Sequence, residues 1–193
     1  MIFIKREKKS ALSRQRILDA ALEEFSHYGY MAASLNRVCQ EKDISKGMIY
    51  HYFKDKDEIY LICIKDCFEK LTDYIKENYR EADLPIEDLL KKYFDTRMEF
   101  FSKNPLYLGI FLDLVLNTPD HLRDEILEIR NDFDSLNISI FRSMLENVDL
   151  REGLSLDNLV EDFRLYMNFF NLVFKDMLKK EISQEDAFKE HEK

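Results

Sequence analysis

The sequence predicts an all-α protein. Its 193 residues include only four glycines and three prolines, which is too few for an architecture rich in tight turns. Apolar residues recur at intervals of three and four along most of the chain, the spacing that places them on one face of a helix. These observations favour long helices, and the chain is long enough to bury a substantial core.

Four helices are predicted in the N-terminal part, after a flexible basic arm formed by residues 1–9. Gly29 is expected to end the first helix, and Asp55 with Glu58 three residues later resembles the capping box that opens the fourth. Each helix begins at a residue whose side chain can accept hydrogen bonds from the first turn. The predicted ranges are Ser10 or Ser13 to about Tyr28, Ser34 to about Glu41, Ser45 to Phe53, and Asp55 to about Tyr79.

Prolines and a glycine divide the rest of the chain into four further helices. The second of these is apolar on most sides and is expected to be buried, although Asp113 interrupts it. The last two each carry two apolar stripes, so each should contact both its own core and another surface. The predicted ranges are Pro85 to about Ser102, Leu106 to about Leu116, Asp120 to about Asn147, and Leu156 to about Lys180.

The charge is distributed unevenly. The net charge of −9 for the whole chain counts against a nucleic-acid partner. However, residues 1–56 carry a net charge of +4 and residues 57–193 a net charge of −13. A basic N-terminal module attached to an acidic body suggests nucleic-acid binding at that end. The alternative is a solvated basic tail, because Lys5, Arg6, Lys8 and Lys9 supply four of the positive charges.

Two short helices joined by a tight turn and braced by a longer first helix are typical of a helix-turn-helix. The spacing alone is weak evidence, but the chemistry of the third helix strengthens it. No carboxylate occurs from Ile44 through Lys54, so this helix can lie against phosphates in a major groove. Ile49 and Phe53 are expected to face inward.

The segment from Ser45 to Glu58, Ser-Lys-Gly-Met-Ile-Tyr-His-Tyr-Phe-Lys-Asp-Lys-Asp-Glu, together with the run that begins at Ser34, resembles the DNA-binding domain of the TetR family of bacterial repressors. The resemblance covers about residues 10–65. It implies an all-α homodimer with an N-terminal three-helix helix-turn-helix DNA-binding domain, here 10–55. It also implies a C-terminal helical domain for dimerisation and ligand binding, here 56–193, and release from a palindromic double-stranded DNA operator by a small-molecule inducer.

The same resemblance implies roles for individual residues. Ser34 and Arg37 on the second helix would reach the DNA backbone or a base edge, and the start of the third helix would approach the bases. Lys56, at the start of the fourth helix, would bind phosphate. Asp43 stands where the family usually has Gly, and Asp tolerates the left-handed conformation of such a turn. The predicted DNA-binding residues are Ser34, Arg37, Ser45, Lys46, Gly47, Met48, Tyr50, His51, Tyr52 and Lys56.

An inducer pocket is predicted from aromatic residues, although aromatics at helical spacing more often form a core. Arg97 is the cation of this segment that has aromatic neighbours on its own helix face. It could pair with a carboxylate ligand, or with an acidic residue of a neighbouring helix. The pocket candidates are Tyr93, Phe94, Arg97, Met98, Phe101, Tyr107, Phe111 and Phe170.

The two last helices are predicted to form an intermolecular four-helix bundle with a second copy. Apolar residues of the first step by four and three residues, as in a heptad seam. Satisfaction of both stripes within one chain is the alternative. The candidates for the dimer interface are Ile126, Ile129, Phe133, Leu136, Phe163, Met167, Phe170 and Phe174.

Other classes of function find little support in the sequence. No phosphate loop or nucleophile motif appears, so we predict neither an enzyme nor a cofactor. Cys39, Cys63 and Cys67 are expected to be reduced core thiols of a cytoplasmic protein, without a metal site. No apolar run approaches the length that spans a bilayer, so no membrane partner is expected. The alternatives are a helical protein-interaction module without DNA binding and a regulator that responds to thiol oxidation.

Overall fold

The computed structural model describes residues 2–80, 82–146, 148 and 153–165, with side chains described from residue 7 onward. This part of the chain contains helices and no strand, which confirms the all-α prediction. Short breaks at 33–34, 43–45 and 53–55 and around the prolines separate the helices. They are α1 (Ile2–Ala32), α2 (Leu35–Lys42), α3 (Lys46–Tyr52), α4 (Lys56–Asn78), α5 (Ile86–Lys103), α6 (Pro105–Asn117), the 3-10 turn Asp120–Leu122 and α7 (Arg123–Leu145).

The chain divides into two compact units, residues 1–136 and residues 137–193. In the first unit α1 packs against α2, α4 and α6, and α5 packs against α4 and α6. The core holds fully buried side chains from several of these helices, including Ile17, Ile59, Leu71 and Ile110. The boundary predicted after residue 55 therefore lies inside one compact unit.

The first helix is longer than its capping residues predict. It begins at Ile2, so residues 2–9, expected as a flexible arm, form its first turns. Gly29 breaks it with φ 70° and ψ 168°, a conformation that is essentially reserved for glycine. The prediction of a break at Gly29 is confirmed, although helical hydrogen bonding resumes and the helix ends at Ala32.

Helix α6 approaches α1 closely because a glycine, which has no side chain, lies at each of two contacts between them. A Cβ added to Gly109 would come within 3.0 Å of the Cα of Ser26 on α1. Near the end of α1, the carboxylate of Asp113 lies against Gly29. Asp113 Oδ2 accepts hydrogen bonds from the backbone N–H of Tyr30 at 2.8 Å and from the Tyr60 hydroxyl at 3.3 Å. The acidic residue that interrupts the apolar helix therefore anchors it.

In the second unit, residues 156–165 are helical. The Ser155 side chain accepts a hydrogen bond from the backbone N–H of Asn158 at 3.2 Å, which confirms the predicted start of the last helix. The Phe141 and Phe163 rings stack with centroids 3.7 Å apart. The remainder of the predicted helix, to about Lys180, lies outside the described residues.

Candidate nucleic-acid interface

Helices α2 and α3 form the predicted helix-turn-helix. The turn between them begins at Asp43, which adopts the left-handed conformation with φ 50° and ψ 50°. The next residue, Ile44, is buried and donates its backbone N–H to the Cys39 carbonyl at 3.1 Å. The expectation that Asp43 can hold this turn is confirmed.

One face of α3 is anchored in the core and the other is open. The Ser45 hydroxyl accepts a hydrogen bond from the Met48 N–H at 3.1 Å and so caps the helix. Ile49 and Phe53 are buried, as predicted. The face opposite them is exposed and carries no carboxylate, and a Cβ added to Gly47 would meet no atom within 4 Å. Exposed on α3 are Lys46, Gly47, Tyr50 and His51, while Met48 and Tyr52 are half-buried.

Tyr52, one of the predicted DNA-binding residues, is held by the first helix. Its hydroxyl lies 3.1 Å from the Ser10 hydroxyl. The ring of His51 meets that of Tyr52 edge-on at 4.8 Å, and the Arg14 guanidinium stacks over Phe53 at 5.1 Å. The start of α1 therefore runs beside the end of α3.

The start of α2 is fixed by a buried carboxylate. Glu24 on α1 is 5% exposed and accepts the Ser34 N–H at 2.7 Å and the Arg37 Nε–H at 2.9 Å. The Arg37 guanidinium also lies 3.8 Å over the Tyr28 ring. The Ser34 hydroxyl makes no capping hydrogen bond. Arg37 thus orients α2 on α1, a role that the sequence analysis did not foresee.

The fourth helix begins with the predicted capping box. Asp55 accepts the Glu58 N–H at 2.9 Å, and Glu58 in turn accepts the Lys54 N–H at 2.6 Å. The Glu58 N–H hydrogen bond holds the pKa of Asp55 below its ordinary value, against the opposing effect of desolvation. The reciprocal bond therefore falls one residue before the cap.

Lys56, predicted to bind phosphate, turns toward the end of α1 in this structure. Its Nζ donates to the Tyr30 carbonyl at 2.7 Å and reaches the Ala33 carbonyl at 3.4 Å. It also lies 4.2 Å from the Tyr30 ring centroid. A cation is favourable beside the carbonyls at the end of a helix.

A polar cluster next to Lys56 was missed by the sequence analysis. The Tyr30 hydroxyl donates to Asp57 on α4, and His121 Nε2 lies 3.1 Å from Asp57 Oδ2 and 3.2 Å from the Tyr30 hydroxyl. Burial and, secondarily, the Asp57 carboxylate raise the pKa of Tyr30. The cluster joins the end of α1, the start of α4 and the 3-10 turn. Its members are 27 and 91 residues apart from Tyr30, so no local pattern indicates it.

Two of the predicted pocket residues, Tyr93 and Phe111, lie around a third, Arg97. This side chain is 4% exposed, and its guanidinium carbon lies 5.8 Å from the Tyr93 and Phe111 ring centroids and 5.5 Å from that of Phe133. Phe101 and Phe111 also contact each other, with centroids 5.0 Å apart. Phe94 and Met98 are half-buried. Phe170 lies outside the described residues.

Tyr107 extends toward the surface of α4 instead. Its hydroxyl bonds to Asp66 and lies 2.5 Å from Lys70 Nζ. Burial, followed by the Asp66 hydrogen bond, raises the pKa of Tyr107 to about 12.

A groove of about 560 Å³ lies between α4 and α7 and contains none of the predicted pocket residues. Its apolar lining includes Phe68 and Phe133, whose centroids are 5.3 Å apart. The Phe133 ring lies between this groove and Arg97. The lining residues are Lys65, Phe68, Glu69, Thr72, Asp73, Lys76, Glu128, Ile129, Asp132 and Phe133.

The predicted dimer residues fall into two groups. Ile126 and Phe133 are buried in the chain's own core, which leaves little of either side chain for a partner. Ile129 and Leu136 are half-buried, and Phe163 stacks on Phe141. Leu127, on the second stripe of α7, is 56% exposed. Met167, Phe170 and Phe174 lie outside the described residues.

The thiols and acidic residues form no evident metal site in the described part of the chain. Cys63 and Cys67 are buried and Cys39 is half-buried. Burial raises the pKa of Cys63 to about 12 and raises that of Cys67 as well. In the same part of the chain, no helix has the length and hydropathy needed to cross a membrane.

Comparisons with known proteins agree with this geometry. Residues 17–62 match the family model described as bacterial regulatory proteins, tetR family. The IcaR protein of Staphylococcus aureus (strain Newman), described as the HTH-type negative transcriptional regulator of the biofilm operon icaADBC, is 27% identical over 113 residues. The match covers 58% of this chain and 59% of that protein. The IcaR protein of Staphylococcus epidermidis (strain RP62A) is 24% identical over 150 residues, which cover 78% of this chain and 75% of that protein.

Two solved structures share the fold. The transcriptional regulator FadR from Bacillus subtilis, in complex with stearoyl-CoA, superposes with a TM-score of 0.66 and 18% identity over 85% of this chain and 89% of that one. The regulatory protein TetR from Rhodobacter sphaeroides gives a TM-score of 0.64 and 19% identity over 86% and 90%. At these identities the likeness establishes the fold, and it extends the all-α similarity beyond the helix-turn-helix.

Proposed function

We propose that this chain, a transcriptional regulator of the tetR family by its N-terminal domain, represses transcription as a dimer that a small molecule releases from a palindromic DNA operator. The open face of α3 carries this proposal. Lys46, Tyr50 and His51 are exposed on a helix that is anchored by Ile49 and contains no carboxylate. Such a face fits a major groove with little electrostatic penalty.

Selection of bound duplexes from a random-sequence pool tests DNA binding directly. We expect one enriched palindromic site, with half-sites about one helical turn apart. Lys46→Ala should weaken binding to that site. Lys92→Ala is the matched control, because it removes a lysine from α5, on which no predicted DNA contact lies. Failure to enrich any duplex would contradict the proposal.

Some of the proposed DNA-binding side chains already have a partner within the chain, and others do not need to change partner to reach DNA. Ser34, Ser45, Gly47 and Met48 lie at the starts of α2 and α3, as the proposal requires. Arg37, Tyr52 and Lys56 each have a partner within the chain. We propose that Arg37 and Tyr52 contribute by positioning α2 and α3, and that Lys56 exchanges its α1 carbonyls for phosphate when DNA is bound.

We further propose that the aromatic cluster around Arg97 is the inducer site. A buried guanidinium surrounded by aromatic rings suits an apolar or aromatic ligand that carries an anionic group. FadR, which shares this fold, binds stearoyl-CoA, a ligand with a long apolar chain and an anionic end. Response to such a compound is consistent with the geometry around Arg97.

A fatty acid and an aromatic carboxylate are suitable first probes. If Arg97 recognises the anion, Arg97→Met should abolish the shift in melting temperature that the probe causes while the fold is retained. Arg130→Met is the control, because Arg130 stacks on Phe68 and pairs with Asp134 at 3.2 Å. If both variants lose the probe-induced shift in melting temperature equally, the ligand binds somewhere other than at Arg97.

We propose that α7 contributes to the dimer through the exposed Leu127 as well as through the half-buried Ile129 and Leu136. Recognition of two half-sites requires two reading modules. Leu127→Lys should shift the sedimentation coefficient toward that of a monomer, whereas Leu12→Lys, an equally apolar exposed position on α1, should leave it unchanged.

The alternative of a thiol-oxidation sensor is less well supported. The thiolate is the reactive form of cysteine, and burial keeps Cys63 and Cys67 protonated at neutral pH. Operator binding that disappears after peroxide treatment and returns with a reductant would favour that alternative. A protein-interaction module without DNA binding would instead show no duplex enrichment.

A further inference from the structure

We propose that the groove between α4 and α7 is a second ligand site, which takes an organic dication whose two positive charges are joined by an apolar segment. The groove measures about 560 Å³, within the range of about 300–1,000 Å³ that is usual for small-molecule sites. Along α4 its lining extends from Lys65 to Lys76, a rise of about 16 Å. The inference goes beyond the proposed function, because it requires neither DNA binding nor a ligand at Arg97.

Carboxylates line both walls of the groove. Glu69 and Asp73 belong to α4, and Glu128 and Asp132 belong to α7. The two residues of each pair are four positions apart, so they share one helix face and are about 6 Å apart along the axis. Because the lining also includes two lysines, its net charge is −2. The groove therefore favours a cationic ligand.

Most of these carboxylates are available to a ligand. Glu69 lies 3.8 Å from Lys65, in a long ion pair between two side chains that are each 62% exposed. Asp73, Glu128 and Asp132 are exposed and form no ion pair with any residue in the described part of the chain. A single exposed ion pair contributes little to binding, so the ligand must reach carboxylates at more than one position.

The floor of the groove, between the exposed carboxylates, is apolar. Phe68 and Phe133 are buried there, and their ring centroids are 5.3 Å apart. The Arg130 guanidinium lies 5.8 Å from the Phe68 centroid, and that of Arg97 lies 5.5 Å from the Phe133 centroid. A further cation over either ring would meet an existing positive charge. The rings therefore suit the apolar segment of the ligand, and the carboxylates suit its charged ends.

A threonine in the same groove indicates a ligand independently of the charges. Thr72 lines the groove, although its side chain is almost fully buried and the residue is 5% exposed. Its hydroxyl makes no hydrogen bond with a residue that the structure describes. By contrast, the hydroxyl of Thr96, another buried threonine, donates to the Lys92 carbonyl at 2.8 Å. Buried polar groups are usually hydrogen-bonded, and an ammonium group in the groove would donate to this hydroxyl.

Calorimetric titration of the full chain with diaminooctane, which has an amine at each end of an apolar chain, tests the inference. We expect one saturable site per chain. The double variant Glu128→Gln/Asp132→Asn should weaken binding roughly two- to thirtyfold, the loss expected for two exposed ion pairs. Asp124→Asn/Glu125→Gln is the matched control, because it removes the same charge from exposed positions of α7 that do not line the groove.

Two related compounds test the two parts of the ligand separately. Octylamine lacks one of the charges, and diaminobutane keeps both charges but has a shorter apolar segment. Both should bind more weakly than diaminooctane, the first because it loses ion pairs and the second because it buries less apolar surface. Arg97→Met, which alters the proposed inducer site, should not weaken the binding of diaminooctane.

Weaker binding in the Glu128/Asp132 variant, together with wild-type affinity in the control variant, supports the inference. Equal affinities in these two variants overturn it, because attraction to the acidic chain as a whole would then account for binding. Absence of saturable binding to the wild type also overturns it, as does binding of diaminobutane as tight as that of diaminooctane. Loss of binding in Arg97→Met alone overturns it in favour of the Arg97 cluster. None of these outcomes depends on whether the chain binds DNA, so the proposed function stands or fails separately.

Discussion

The carboxylate of Asp113 on α6 occupies the space that a side chain on Gly29 of α1 would need. The carboxylate is held there by the Tyr30 N–H at 2.8 Å, the Tyr60 hydroxyl at 3.3 Å and the Asn117 amide at 3.1 Å. It cannot turn aside without losing these hydrogen bonds. Helices α1 and α6 therefore meet at a position where only glycine fits.

Gly29→Ala should destabilise the protein for two reasons. Its φ of 70° with ψ of 168° costs a non-glycine residue about 1–3 kcal/mol, and the new methyl group would displace Asp113. We expect urea unfolding to show a larger loss than for Gly153→Ala, where φ is 89° but an added Cβ meets nothing within 4 Å. In a double-mutant cycle, Asp113→Ala should recover part of the loss. Purely additive effects on the free energy of unfolding would show that the clash between the new methyl group and Asp113 contributes nothing to the destabilisation.

Tyr30→Phe should lower the free energy of unfolding by about 0.5–1.5 kcal/mol, since it removes the hydroxyl that joins Asp57 and His121. The ring remains in its packing with Tyr60, at a centroid distance of 4.8 Å. Hydrogen exchange should also become faster in the first turn of α4. Tyr28→Phe removes a hydroxyl from an exposed ring of the same helix and serves as the control. Equal unfolding free energies in the two variants would count against a structural role for the cluster.

Gly47→Ala should separate stability from DNA binding. Alanine is favoured over glycine in a helix by up to about 1 kcal/mol, and the added Cβ at this position meets no protein atom within 4 Å. We therefore expect a higher melting temperature together with weaker binding to the selected duplex, because the methyl group faces the DNA. Unchanged affinity would show that α3 does not approach the bases at Gly47. Gly109→Ala, which would collide with Ser26, should instead lower the melting temperature.

The buried thiol of Cys63 should make the protein less stable at alkaline pH. Its folded-state pKa is raised from 9.0 to about 12 by burial, so the unfolded chain releases the thiol proton first. The stabilisation is complete below pH 9 and is lost as the pH rises toward 12. Cys63→Ala should make the decline in unfolding free energy over this range shallower. An unchanged decline would assign it to other groups, such as tyrosines.

Local chemistry made several parts of the structure predictable. Ser45 and Asp55 cap α3 and α4 because their side chains accept hydrogen bonds from residues three positions later, a pattern readable in any sequence. Asp43 could be expected in the turn because its own conformational preferences allow it. Burial of Ile49 and Phe53 followed from helical spacing alone.

The role of Asp113 and the cluster around Tyr30 could not be predicted because they depend on contacts between segments far apart in the sequence. Asp113 was interpreted only as a break in an apolar helix, since its partner Tyr30 is 83 residues away. Periodicity shows which face of a helix is apolar but not which polar group on another helix it meets. The early start of α1 has a different origin. Lys, Arg and Glu in residues 5–9 are good helix formers, and they extend the helix N-terminally beyond Ser10 and Ser13, the predicted caps.

The contact between Gly109 and Ser26 also determines how α1 and α6 can move. Where helices touch through long side chains, a small displacement of one is absorbed by changes in side-chain torsion angles. Gly109 has no such angle to change, and it faces backbone atoms of Ser26. At this point α6 must therefore either slide along α1 or move together with α1. The two helices cannot move closer to each other here.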